Sequence, residues 1–105
     1  MIYLVESIDV AEADADAYLT ALEQEYLPAC RGWGLDLAFC WRTPGGLGED
    51  VTVTHAFRFD DWAHWEQVRG RMVLDPANAA WVARRAPLMR RGTRRFTEPA
   101  AFSPM

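Results

Sequence analysis

The chain contains no lysine, and all 11 of its basic side chains are arginine. Such a bias reflects a GC-rich genome more than function. It also lacks a basic balance: the formal net charge is −4, whereas phosphate binding needs a dominant basic surface, so nucleic acid is not an expected partner. No stretch approaches the roughly 18 uninterrupted apolar residues of a membrane span. The opening MIYLVESID carries neither a basic region nor a small-residue cleavage pattern, so the expected location is the cytoplasm, with no membrane partner. There are two cysteines, Cys30 and Cys40, without metal-ligand or C-x-x-C spacing, and they read as free thiols of a reduced compartment. There are two histidines, His55 and His64, and neither has a second His or Cys at ligand spacing, which leaves no metal site to expect.

What is present is apolar and unevenly charged. With 105 residues and 50% hydrophobic content, the chain can build one core and not two. Residues 1–66 hold 13 acids against 3 arginines, and residues 67–105 hold 8 arginines against 2 acids. The arginine-rich part either complements acidic faces of the same protein or a partner subunit, or forms an anion site. Adjacent pairs such as Arg84-Arg85 and Arg90-Arg91 cannot all point one way, which favours the first reading.

Ile2 to Ile8 is rich in strand formers and predicts a first strand. From Asp14, Tyr18, Leu19, Leu22 and Tyr26 recur at helical spacing, with Gly32 or Gly34 as the stop and Pro28 as a sign of an irregular last turn. Leu35 to Thr43 alternates as a second strand, placing Leu35, Leu37, Phe39 and Trp41 on one face and Asp36, Ala38, Cys40 and Arg42 on the other. Pro44 to Gly48 is a turn. It has no helix N-terminus or Lys-Ser/Thr behind it, so its glycines do not read as a phosphate loop. The third strand places Val51, Val53, His55, Phe57 and Phe59 opposite Thr52, Thr54, Ala56 and Arg58. Asp60 or Asp61 then caps a helix with Trp62, Trp65, Val68 and Met72 in a stripe, and Asp75-Pro76 starts a second helix with Trp81 and Leu88 inward. Thr93 to Glu98 reads as a last strand, so that residues 1–98 form a single domain and 99–105 a tail.

This order predicts an α+β, ferredoxin-like split βαβ fold, a four-stranded antiparallel sheet with helices on one face. The other sheet face would carry Ala38, Cys40, Thr52, Thr54 and Ala56, small residues with few charges. Covering it with a second copy, sheet to sheet, predicts a homodimer.

The segment HAFRFDDWAHWEQVR, the restart Asp75-Pro76 with Trp81 shortly after, and the closing FTEPAAFSP resemble the NIPSNAP family, a branch of the dimeric α/β-barrel superfamily. The pattern falls on His55, Phe57, Arg58, Asp61, Arg69, Asp75 and Pro76, with Glu49 or Asp50 ahead of the third strand. It covers Val51 to Pro104, while the first half agrees mainly in its strand and helix pattern. The resemblance implies the dimeric α/β-barrel and a cavity between each sheet and its helices. Its superfamily includes cofactor-free monooxygenases, isomerases, cyclases, haem enzymes and proteins without known activity. The NIPSNAP branch has no agreed catalytic set, and fold analogy alone is weak evidence for a reaction.

Chemistry then rests on His55, on the bulky and buried face of its strand. A buried neutral imidazole needs a hydrogen-bond partner, and Glu6 shares that face if Leu4 and Ile8 point to the helices. A Glu6–His55 pair would orient the ring and leave a nitrogen free as general acid or base, a role worth roughly 10²- to 10⁴-fold in rate. The alternative is a core histidine satisfied by backbone or water. Haem would need His55 or His64 as axial ligand, and His64 between Trp62 and Trp65 reads as solvated, so no cofactor is expected. Tyr18, Tyr26, Trp41, Phe57, Trp65 and Trp81 are candidate walls of a pocket for a flat organic ligand, although large aromatics at these spacings also serve as core. Two functions follow. One is a cofactor-independent isomerase, cyclase or monooxygenase acting on a small aromatic or polyketide-like compound. The other is a non-catalytic ligand-binding or interaction protein.

Overall fold

A computed structural model describes residues 1–46 and 48–104; Leu47 of the expected turn and Met105 of the expected tail lie outside the described residues. The central strand β1 (Ile2–Val10) alternates strictly, burying Ile2, Leu4, Glu6, Ile8 and Val10. It runs two residues beyond the expected Ile8, because Asp9 and Val10 still pair with Thr52 and Val51. Helix α1 (Ala15–Ala21), a π-helical turn (Leu22–Tyr26) and α2 (Leu27–Trp33) follow as one rod. The irregularity that Pro28 suggests thus lies one turn earlier. Gly34, at φ 93°, ends the rod in the left-handed conformation that glycine adopts without a Cβ penalty.

Strand β2 (Asp36–Arg42) pairs with β3 (Val51–Phe59), and Asp61 caps α3 (Trp62–Leu74) by accepting from the His64 amide at 2.8 Å. Asp75 caps α4 (Pro76–Arg85), accepting from the Ala77 amide at 2.9 Å and from Trp33 Nε1 at 2.8 Å, which ties α4 to the end of α2. Strand β4 (Met89–Thr97) starts four residues before the expected Thr93, since its arginines are held by pairing with β1 rather than by their own weak strand preference. The antiparallel order β2-β3-β1-β4 with helices over one face is the ferredoxin-like fold.

One expectation fails for a definite reason. In the β2–β3 ladder Leu37 faces Phe57 but Phe39 faces Ala56, so Ala38 is an extra residue, a β-bulge. Beyond it every side chain changes face. Cys40 therefore joins the core side opposite His55, and Phe39 and Trp41 move to the open face opposite Ala56 and Thr54. That open face is half polar and half apolar. Toward one end Ser7 bonds Thr54 at 3.0 Å and Thr52 bonds Asp9 at 2.6 Å. Toward the other, Phe39 and Trp41 stack with centroids 4.1 Å apart, beside Tyr3, Val5 and the returning Pro99.

Candidate functional site

Glu6 and His55 are opposite one another in the β1–β3 ladder, on the face that the helices cover. His55 is 1% exposed and Glu6 is buried, with His55 Nε2 3.5 Å from Glu6 Oε2. The same oxygen accepts from Arg85 Nη1 at 3.4 Å, and Arg94 Nε stands 3.8 Å from Oε1. A buried carboxylate is costly unless opposite charge meets it, and here two guanidiniums flank it, one at each oxygen. Burial holds the imidazole pKa below the usual value; the Glu6 charge opposes this, while Arg85 and Arg94 add to it. His55 is therefore neutral near pH 7.

Four buried polar atoms make no hydrogen bond of good geometry among the described residues: His55 Nδ1 and Nε2, Trp81 Nε1 and Tyr18 Oη, the last of which still feels Arg85 and Glu6. Burial and the nearby Glu6 charge push the Tyr18 phenol up to about 12, so it stays a donor. Burial also raises Tyr26 far above the ordinary phenol range. In a native interior such atoms are the ones a bound water or ligand satisfies.

The crevice that reaches the pair lies between β4 and the C-terminal end of α4. It has a volume of about 140 Å³ and is walled by Glu6, Ile8, Arg85, Met89, Gly92 and Arg94. Gly92 is opposite Ile8, and a Cβ there would come within 2.9 Å of Ile8 Cδ1 and 3.3 Å of Met89 Sδ. A larger residue would close the crevice. Glu6 faces this space, whereas His55 stands behind it. The expected arrangement lines the cavity with the imidazole and sets the carboxylate behind it; in this crevice it is the carboxylate that forms part of the wall.

The candidate aromatic walls divide into three groups. Tyr18, Tyr26, Phe57 and Trp81 come together beside His55, but they pack on one another: Tyr26 stacks on Trp81 at 4.8 Å, Trp81 lies 6.0 Å from Tyr18, and Phe57 meets His55 edge-on at 5.2 Å. They contribute to the hydrophobic core between the sheet and the helices. Trp65 lies at the rim, under the Arg94 guanidinium at 5.7 Å and against Phe59 and Phe96. Trp41 is 61% exposed on the opposite sheet face and takes no part, a consequence of the Ala38 bulge. His64 is half-buried rather than solvated: its Nδ1 accepts from the Asp60 amide at 3.2 Å and its Nε2 lies 3.3 Å from the Gly34 carbonyl, so it joins two loops. Both cysteines are free, and burial raises the Cys30 thiol to about 12. Arg85 and Arg94 are the members that residue patterns did not single out, although the arginine excess of residues 67–105 contained them.

Among the described residues no group of three His, Cys, Asp or Glu side chains could hold a metal ion, and no helix is long and apolar enough to cross a membrane. Fold and site together define a ferredoxin-like domain with a buried, arginine-flanked Glu–His pair beside its central strand. The NIPSNAP family model matches residues 4–104, and the chain belongs to the NIPSNAP family. A NIPSNAP domain protein from Burkholderia xenovorans superposes with a TM-score of 0.81 at 24% identity, covering 100% of both chains. Protein Atu4242 from Agrobacterium tumefaciens also gives 0.81, at 20% identity over 100% of this chain and 99% of its own. HapK from Hahella chejuensis shares the fold more distantly, with a TM-score of 0.61 at 12% identity over 98% and 96% of the two chains. No curated protein matches at a significant level.

Proposed function

We propose that this protein is a homodimeric dimeric α/β-barrel protein that binds a small organic molecule beside its sheet and moves a proton on it with Glu6, without a cofactor. The observation that carries this reading is a buried carboxylate that lines a crevice, with one oxygen accepting from a guanidinium and standing 3.5 Å from a neutral imidazole. Glu6 takes a proton from one atom of the ligand and returns it to another, so no electrons and no co-reactant are consumed. His55 positions the carboxylate from behind, and an isomerisation or cyclisation fits this arrangement. The second copy would cover the open face, where the exposed Trp41 stacks on the half-buried Phe39.

The packing of Tyr18, Tyr26 and Trp81 favours the second reading, a ligand-binding protein without turnover, because a filled interior leaves room only for a small ligand. Solvent deuterium exchange separates the two. Wild type, Glu6→Gln and His55→Ala are screened by thermal shift against small carbonyl compounds, and each binder is incubated in D2O and followed by NMR. Exchange at one ligand carbon, lost in Glu6→Gln while binding persists, supports proton transfer. Binding without exchange establishes the non-catalytic reading, and a panel that stabilises nothing removes both.

A further inference from the structure

The crevice beside Glu6 holds more positive than negative charge. Glu6 contributes one negative charge, Arg85 and Arg94 one positive charge each, and His55 is neutral, so the walls carry a net charge of +1. Glu6 takes up only part of what the two cations can offer. Arg85 donates to Glu6 at 3.4 Å and also interacts with the Tyr18 hydroxyl, which still leaves donors over from the five N–H groups of a guanidinium. The Arg94 guanidinium makes no hydrogen bond among the described residues. It stands 3.8 Å from Glu6, beyond hydrogen-bond reach, and is propped 5.7 Å over the Trp65 ring, with about half of its side chain open to solvent. A cation held by an aromatic face and presented at the mouth of a crevice is a preorganised donor for a planar anion. The imidazole nitrogens and Tyr18 hydroxyl lie deeper, around the same carboxylate.

The geometry points to a carboxylate subsite: Arg94, aided by Arg85, receives the carboxylate of a small monocarboxylic acid whose other end lies against Glu6. The added anion brings the walls to neutrality, which a neutral ligand cannot do. Size sets the class further. At about 30 Å³ for each water in the liquid, 140 Å³ holds about four or five water-sized groups, which is the scale of a short carboxylic or oxo acid and well below that of a drug-like ligand. Gly92 keeps that space open, since a Cβ there would stand 2.9 Å from Ile8 Cδ1 and 3.3 Å from Met89 Sδ and would push those side chains aside.

This inference rests on the ligand-binding reading of the crevice, and the test separates the two. The intact protein is titrated with propionate, pyruvate and the neutral isostere propionamide at low and high sodium chloride, following the backbone amides of Gly92 and Thr93 by NMR. Saturable shifts with both acids, at least tenfold weaker with propionamide and reduced by salt, are the expected result. Arg94→Gln, at a half-exposed position and with its fold checked by the dispersion of its amide spectrum, weakens the acids at least tenfold and leaves propionamide unchanged. Propionamide binding as tightly as propionate overturns the carboxylate subsite while the ligand site stands. Acid binding that survives Arg94→Gln unchanged overturns it as well. The absence of any saturable shift with all three compounds overturns the subsite and the ligand reading together.

Discussion

Replacing His55 by Gln should flatten the dependence of stability on pH between 5 and 7. His55 is 1% exposed, and its pKa lies below the ordinary 6.5 because burial, reinforced by Arg85 and Arg94, outweighs the attraction of Glu6. In the unfolded chain the imidazole takes up a proton near pH 6.5; in the folded chain it resists until lower pH. The unfolded state then binds more protons, so stability is complete above 6.5 and falls as pH drops from 6.5 toward the folded value. The slope cannot exceed about 1.4 kcal/mol per pH unit for a single group. With a urea m-value of about 1.5 kcal/mol/M for a domain of this size, that is a shift of about 1 M in midpoint per unit. Equilibrium urea unfolding at half-unit intervals measures it. Carboxylates titrate mainly below pH 5, and His64 is present in both proteins, so the difference between wild type and His55→Gln isolates His55. Parallel midpoints in the two proteins across this range would refute the assignment of a neutral, burial-depressed histidine.

Two further outcomes test the packing. Sedimentation at micromolar concentration should find wild type dimeric and Trp41→Glu shifted toward monomer, because Trp41 presents an apolar ring on the open sheet face; a wild type that is wholly monomeric refutes the covered-face argument. Trp81→Ala should cost about 3–5 kcal/mol in urea unfolding. Its indole is 4% exposed and stacked 4.8 Å from Tyr26, and a loss under about 1 kcal/mol would show that the aromatic cluster is not packed as described.

The fold was legible wherever a burial period ran uninterrupted. Strand β1 alternates strictly from Ile2 to Val10, and β3 does so from Val51 to Phe59 except at Ala56, which is buried on the other face, so their facing and their adjacency followed from parity and topology. Parity broke in β2 because Ala38 is inserted into the ladder, and a bulge leaves no mark in a pattern that alternates before and after it. The first helix hides its own irregularity in a similar way. Tyr18, Leu22, Tyr26 and Cys30, all buried, recur every four residues, a spacing that drifts about 40° per step around an ideal α-helix. The wider turn at Leu22–Tyr26 absorbs that drift, which keeps all four against the sheet.

The site was legible by halves, and the halves differ in kind. Pairing Glu6 with His55 required only that adjacent antiparallel strands place their inward residues together, which strand order and parity can supply. Which member lines the crevice depends on where the covering layer ends, and that is decided far along the chain. Helix α4 stops at Arg85, β4 re-enters at Met89, and Gly92 lacks the side chain that would close the gap. The opening therefore forms over the β1–β4 side of the sheet, where Glu6 lines it, while His55, one strand further in, stays buried against Phe57. Arg85 and Arg94 flank the opening because one ends the helix and the other lies opposite Glu6 in the β4 ladder. A run of arginines without obvious order in sequence thus resolves into two that meet the carboxylate and others, such as Arg84 with Glu25 and Arg90 with Asp50, that pair elsewhere on the surface.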